Sequence, residues 1–319
     1  MGPGLRGKLA AALVPLAALC AGCGGGGATS FPPGEQPLAG GGGDLAYALP
    51  PIPRQIDPLA AQTPAEQTVS AQLFEPLVSS LRGPYGQGRE QRGLTLGAGH
   101  SGDRRVWSIH LRPGVRFEDR TPLNGSAVLV NLERWRTSPQ GRRLLPGLLA
   151  SSAPRPDLVR FIFQQPVPDL PALLADPRLG LVSPAALDPS SGKDARVARA
   201  AQAGSGPFQL LNRARGKLVL ARNRSWWGSR DGLGPALDRI SFVPTPSAGR
   251  RADLLRAGRV RVAAELSRAA AQRLRRDPLL TAVGVASGHA IGIERSVRGI
   301  RSWRPGPMNG VWLALVGQP

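Results

Sequence analysis

The stretch Val106–Phe117, VWSIHLRPGVRF, has the pattern of two strands joined by a turn. From Trp107 to Leu111 every second residue is apolar, which predicts a strand with one buried face. Pro113-Gly114 predicts a turn, and Val115 and Phe117 then lie at alternate positions of a returning strand. We therefore expect this part of the chain to belong to a sheet.

The segment before this stretch, Gly97–Gly102, matches the spacing G-x-G-x-x-G of dinucleotide-binding loops. That motif requires a helix to follow, because the amino end of the helix faces the pyrophosphate. Here Asp103-Arg104-Arg105 leads into the strand that begins at Val106. The segment is therefore predicted to be a hairpin loop, and no cofactor is expected.

Strands and helices alternate along the rest of the chain, beginning with a strand at Asp44–Leu49. Thr63-Pro64-Ala65-Glu66 predicts a helix start, since Thr63 can cap the helix, Pro64 needs no amide partner there and Glu66 can reach back to the capping residue. Further strands are predicted at 159–163, 179–182, 218–220, 240–243, 260–263 and 311–316, and further helices after Asn124 or Ser126, over 170–175, over 251–256 and after Ser267. This alternation predicts an α/β fold with a mixed sheet.

Four stretches, taken in order, resemble the family 5 extracellular solute-binding proteins, which deliver peptides or nickel to ABC importers. They are Ile56-Asp57-Pro58 with Ala71–Val78; Trp107–Phe117 with Thr121–Asn124; Gly204–Phe208 with Leu220–Asn223 and Trp226-Trp227-Gly228; and Leu237–Phe242 with Leu254–Gly258. The resemblance extends from about Asp44 to about Ala264. Two residues depart from the family pattern, namely Arg120 in place of a usual glycine and Arg261 in place of a usual aspartate.

The resemblance implies a periplasmic-binding-protein-like first lobe with a mixed β-sheet. In this family a second lobe is inserted between the bulk of the first lobe and its final strand. Here Asp277–Leu280 resembles the stretch before the insertion, and Ser296–Ile300 with Val311–Leu313 resembles the final strand. We therefore expect residues 44–319 to form the first lobe, with a main part at 44–283 and a returning strand at 296–316, and the second lobe to be missing.

The first residues have the pattern of an export signal. Arg6 and Lys8 precede an apolar run, Leu9–Leu19, which is shorter than the roughly 20 residues that span a bilayer. The sequence that follows, Leu19-Cys20-Ala21-Gly22-Cys23, resembles a bacterial lipoprotein signal with lipid attachment at Cys23. Cys20 is the weaker lipidation candidate because a leucine precedes it, and plain secretion with Cys23 as a free thiol is the alternative.

The two cysteines are not predicted to be a metal or redox site. The chain has 2 cysteines and 3 histidines, and the histidines are scattered, so ligands for a metal are too few. Residues 24–43 are rich in glycine and proline, which is typical of a flexible tether. We therefore expect a signal peptide at 1–23, a tether at 24–43 and a lipid anchor at the outer face of the cytoplasmic membrane, facing an extracellular or periplasmic space.

Composition narrows the classes of function. The 319 residues include 41 lysines and arginines against 21 aspartates and glutamates, a formal net charge of +20. The basic residues are spread in ones and twos without a nucleic-acid-binding signature, so no specific nucleic-acid partner is predicted. G-x-S-x-G, H-E-x-x-H and the Walker lysine motif are absent from the sequence, and we predict that the chain is not an enzyme.

The resemblance implies a substrate-binding lipoprotein of an ABC importer, which binds peptides or a related solute and docks on permease subunits. The alternative is a degenerate single-lobe envelope lipoprotein that binds a protein partner without capturing solute. Gln62 and Thr63 are candidate ligand contacts because they follow the first strand on the loop that faces the cleft in the family. Ser205 and Gly206, near the hinge, and Trp226, which could stack on a ligand, are further candidates. Their alternatives are a helix cap, a tight backbone turn and packing of a loop, respectively.

Overall fold

Two β-sheets organise the part of the chain that the computed structural model describes. That part comprises residues 43–52, 56–78, 93–187, 203–214, 216–229, 235, 237–277, 280–284 and 290–294. The predicted signal peptide, all of the tether except Gly43 and the predicted returning strand at 296–316 lie outside these ranges. No helix among the described residues is long and apolar enough to cross a membrane.

The larger sheet has seven strands in the order β10-β11-β9-β1-β8-β7-β6. Its strands are β1 (Asp44–Leu49), β6 (Phe208–Ala214), β7 (Lys217–Arg222), β8 (Arg239–Pro244), β9 (Val262–Leu266), β10 (Leu280–Gly284) and β11 (Ala290–Glu294). β1 is parallel to both of its neighbours, β8 and β9, whereas the other pairs are antiparallel. The prediction of a mixed sheet is confirmed.

Helices cover both faces of this sheet. The side chains of β1 point alternately to the two faces, and each set packs in a separate core with helices. Tyr47 packs in one core with residues of α1 (Pro64–Leu73), including Val69 and Leu73. Ala48 packs in the other core with α5 (Ala248–Arg256) and α6 (Arg268–Arg275). The result is a three-layer α/β/α arrangement.

The opening stretch lies in a second, antiparallel sheet of four strands in the order β2-β3-β5-β4. Its elements are β2 (Thr95–His100), β3 (Val106–Leu111), β4 (Leu148–Arg155) and β5 (Leu158–Phe163), with α2 (Gly125–Thr137), α3 (Pro139–Leu144) and α4 (Leu170–Leu174). Trp107, Ile109 and Leu111 all face one core, together with Trp135 of α2. The predicted strand is therefore confirmed, and the glycine segment forms a β2-β3 hairpin in which residues 97–100 belong to β2 itself.

Two strand predictions are wrong. The returning segment after the Pro113-Gly114 turn forms only an isolated bridge between Arg116 and Pro122, although Val115 and Phe117 are buried as expected. Residues 179–182 are not a strand, because a 3-10 turn at Pro177–Leu179 leads into buried irregular backbone. A short apolar run therefore indicated burial here and not the backbone conformation.

Helix starts were predictable because their signals are local. At α1 the Thr63 hydroxyl accepts a hydrogen bond from the Glu66 amide, and the Glu66 side chain accepts from the Thr63 amide, which completes a capping box. Asn124 caps α2 and Ser267 caps α6 with one hydrogen bond each, accepted by the side chain from the amides of Ala127 and Ala270. Gly258 follows α5 with φ +64°, the left-handed conformation that glycine adopts without strain.

Candidate functional site

The carboxyl ends of β1, β8 and β9 meet at one edge of the larger sheet, because the three strands are parallel and adjacent. The chain leaves β1 toward α1 on one face, and it leaves β8 and β9 toward α5 and α6 on the other face. In open α/β sheets such a divergence creates a crevice outside the carboxyl ends of the strands, where ligands bind. We call this place the carboxyl edge.

A shallow pocket lies in the loop between β1 and α1, at the carboxyl edge. Its cavity volume is small, about 20 Å³, and about 280 Å³ of space around it is continuous with solvent. Its lining is mainly apolar and consists of Ile52, Ile56, Asp57, Ala60, Ala61, Glu66 and Val69. Small-molecule sites are typically apolar concavities with few polar groups, and this lining has that composition.

Gln62 and Thr63 are exposed beside this pocket, between Ala61 and Glu66 of its lining. Glu66 Oε2 accepts hydrogen bonds from the amides of Gln62, at 2.7 Å, and Thr63, at 3.2 Å. The hydroxyl of Thr63 is engaged as the helix cap, so its local role is the alternative stated above. Contact of either residue with a ligand stays a prediction.

Asp57 in the pocket wall belongs to a buried ion pair. Its carboxylate accepts hydrogen bonds from Arg134 Nη2 of α2 at 2.5 Å and from the amide of Leu59 at 3.0 Å. The two charged side chains are 8% and 5% exposed. Asp57 therefore joins the loop after β1 to α2, and both of its carboxylate oxygens are engaged by Arg134.

Ser205 and Gly206 lie at the opposite end of α1 from Thr63. The amide of Gly206 donates to the carbonyl of Leu73, the last residue of α1, at 2.9 Å. A Cβ atom on Gly206 would lie 2.5 Å from the Gln72 carbonyl oxygen, so only glycine fits this approach. The ten residues of α1 span about 15 Å, and the structure therefore does not bring Ser205 and Gly206 together with Gln62 and Thr63.

Trp226 is buried and belongs to a polar cluster around Glu75. Its indole N–H donates to Glu75 Oε1 at 3.0 Å, and the indole of Trp227 donates to both carboxylate oxygens at 3.1 and 3.0 Å. The guanidinium of Arg112 lies over the Trp227 ring, 4.3 Å from its centroid. These contacts match packing of a loop against the body, the alternative role of Trp226, and its contact with a ligand stays a prediction.

Burial raises the pKa of Glu75 to about 8. The indole hydrogen bonds and the charge of Arg112 act in the opposite direction and only partly offset the loss of hydration. The Ser205 hydroxyl is also close enough to lower this pKa, but its geometry does not meet that of a hydrogen bond. No local pattern predicts this cluster, because Glu75 lies 151 residues from Trp226 and 152 residues from Trp227.

Similarity to a known protein family identifies the family of this chain. A model described as "Bacterial extracellular solute-binding proteins, family 5 Middle" matches residues 92–296, more than half of the 319 residues. The chain belongs to this family. Family 5 proteins are periplasmic or extracellular solute-binding proteins rather than enzymes, which fits the absence of catalytic motifs from the sequence.

Individual family 5 proteins are similar to this chain over part of their length. "Probable D,D-dipeptide-binding periplasmic protein DdpA" of Escherichia coli K12 is 30% identical over 209 residues, which are 64% of this chain and 40% of DdpA. The solved structure of AgaA from A. tumefaciens R10 in complex with agropinic acid has a TM-score of 0.64 and 22% identity, and covers 75% of this chain and 47% of AgaA.

A peptide complex has the same fold. The ABC transporter-associated periplasmic binding protein DppA from Helicobacter pylori, in complex with peptide STSA, has a TM-score of 0.62 and 20% identity. The match covers 76% of this chain and 50% of DppA. The chain thus has the periplasmic-binding-protein fold and spans about half the length of these solved structures and about two fifths of DdpA.

The described residues of this chain do not contain a set of side chains arranged to bind a metal ion. No three histidine, cysteine, aspartate or glutamate side chains there lie close enough together to bind a metal ion. The carboxyl edge, with its pocket and its helix starts, is the candidate solute site.

Proposed function

We propose that this chain is a substrate-binding lipoprotein of an ABC importer, which captures a peptide or a related solute at the outer face of the membrane and presents it to permease subunits. The observation that carries the proposal is the carboxyl edge, where three parallel strands end between helices on opposite faces of the sheet. Membership of family 5 supports the same class of function.

Peptides are the proposed solute class because relatives of this chain bind them. DdpA is named as a D,D-dipeptide-binding protein, and DppA was solved with a bound peptide. The pocket after β1 offers an apolar wall beside the exposed amide side chain of Gln62. An apolar wall with a few polar groups suits a short peptide, whose side chains need burial and whose backbone needs hydrogen-bond partners.

Calorimetric titration of the purified mature protein with a pool of short peptides tests this proposal. We expect saturable binding that weakens in Gln62→Ala, because the Gln62 side chain is exposed at the pocket and its loss leaves the capping box intact. Gln140→Ala is the matched control, since Gln140 is also exposed but lies on α3, outside the carboxyl edge.

One result would change the proposed site, and another would contradict the proposed function. Equal binding by the Gln62→Ala and wild-type proteins would remove Gln62 from the site. The absence of heat at millimolar peptide, from a sample that unfolds cooperatively, would favour the alternative of an envelope lipoprotein that binds a protein partner.

A further inference from the structure

Glu265 has an unusual backbone at the carboxyl edge. It is the penultimate residue of β9, and its φ of +50° lies in the left-handed region that residues with a Cβ rarely adopt. Ala263 and Leu266 of β9 pair with Gly292 and Ala290 of β11, so two residues oppose one, which defines a β-bulge. Bulges redirect side chains and occur often beside functional sites.

One oxygen of the Glu265 carboxylate lacks a hydrogen bond within the part of the chain that the structure describes. This atom, Oε1, is buried, while the residue as a whole is partly exposed. Together with burial, its negative charge raises the pKa of Tyr47, which lies on β1, the neighbouring strand. A buried carboxylate oxygen without a donor is costly, so its persistence at a strand end requires an explanation.

Arg251 of α5 is the nearby cation, but its hydrogen bonds serve the backbone. Its guanidinium donates to the carbonyls of Thr245 at 2.5 Å, Ala264 at 2.9 Å and Glu265 at 2.7 Å, and also to that of Pro246 at 2.8 Å. Arg251 thereby joins the ends of β8 and β9 and holds the bulge in place. Its charge lies near the Glu265 carboxylate without a hydrogen bond between the side chains among the contacts that the structure describes.

We propose that Glu265 is a ligand-binding residue that recognises a cationic nitrogen group of the solute, a primary ammonium or a guanidinium. The inference rests on the proposed function, because it assumes that a solute enters the carboxyl edge. An N–H donor that carries positive charge supplies the hydrogen bond that the carboxylate lacks, and such charge-assisted bonds are shorter and stronger than neutral ones. The bulge and Arg251 fix the backbone that carries the Glu265 side chain, which reduces the ordering required on binding.

Titration with two matched peptide pools tests this inference. One pool contains short peptides with free amino groups and lysine, and the other has the same sequences with every amino group acetylated. We expect wild-type protein to bind the cationic pool at least tenfold more tightly, and Glu265→Gln to lose that preference while it still binds the acetylated pool. Glu265→Asp, which keeps the charge, is expected to retain part of the preference, and Glu133→Gln on α2 is the control for a remote exposed glutamate.

The outcomes separate this inference from the function on which it rests. Equal preference for the cationic pool in wild type and Glu265→Gln would overturn the role of Glu265 and leave solute binding intact. Equal affinity of the wild-type protein for both pools would also overturn the role of Glu265 and leave solute binding intact. Failure of folded wild type to bind either pool would overturn the proposed function and this inference with it, and thermal melting of each variant shows whether it is folded.

Discussion

Arg134 of α2 donates to both carboxylate oxygens of Asp57, at 2.5 Å, and thereby joins the helix of the antiparallel sheet to the loop that follows β1. The two residues are 77 positions apart, and their side chains are only 5% and 8% exposed. Asp57 also caps the 3-10 turn Pro58–Ala60. A single buried pair therefore sets the position of the pocket wall at the carboxyl edge.

Removal of the arginine from this pair is expected to destabilise the fold. Arg134→Met leaves the Asp57 carboxylate buried without its cation, which typically costs about 3–5 kcal/mol. Arg136→Met is the matched control on the same helix, because Arg136 pairs with Glu133 at the surface, where the two side chains are 45% and 56% exposed. Its expected effect is below about 1 kcal/mol. Urea unfolding measures both values, and equal losses for the two variants would show that the buried pair has no special role.

Glu75 predicts a pH dependence of stability. Its pKa is raised from 4.5 to about 8 in the folded protein, so the folded state binds a proton that the unfolded chain has released over this interval. The contribution of this group is therefore fully present below pH 4.5, declines as the pH rises and is lost above pH 8.

Comparison of variants isolates this contribution from those of other groups. In Glu75→Gln the amide oxygen can still accept an indole hydrogen bond, but no proton is exchanged. We expect the free energy of unfolding to fall less steeply between pH 5 and 8 in Glu75→Gln than in wild type, and Glu133→Gln to follow wild type. Parallel curves for wild type and Glu75→Gln would mean that the carboxylate is already ionised throughout this range.

The close packing around Gly206 predicts that any side chain at this position destabilises the fold. A Cβ at this position would lie 2.5 Å from the Gln72 oxygen and 2.7 Å from that of Leu73, and both are backbone atoms that move only if α1 moves. Gly206→Ala is expected to lose about 1–3 kcal/mol of stability, as overpacked sites do. Gly99→Ala is the control, because nothing lies within 4 Å of a Cβ at Gly99. A neutral Gly206→Ala variant in thermal unfolding would show that the end of α1 adapts freely.

The sequence predicted the features whose signals lie close together along the chain. The capping box of Thr63 and Glu66 spans four residues, and the alternation from Trp107 to Leu111 reports burial on one face of β3. By contrast, β4 is mostly exposed and shows no apolar alternation, so its strand was missed. The carboxyl edge depends on β1 pairing with both β8 and β9, and the unpaired oxygen of Glu265 depends on a bulge. Such features arise from contacts distant in sequence, which local patterns do not encode.

The proposed lipid anchor predicts that one cysteine sulfur carries the acylated group. Cys23→Ser removes the sulfur that follows Ala21-Gly22, the small residues that suit cleavage and lipid attachment. We expect wild-type protein expressed with its leader in a bacterial host to incorporate labelled palmitate and to sediment with membranes, because each buried methylene contributes about 0.8 kcal/mol to membrane binding. Cys23→Ser is expected to lose both label and sedimentation, whereas Cys20→Ser keeps them. Label that persists in Cys23→Ser and disappears in Cys20→Ser would move the lipid to Cys20, and unlabelled, secreted wild type would support plain secretion with a free thiol at Cys23.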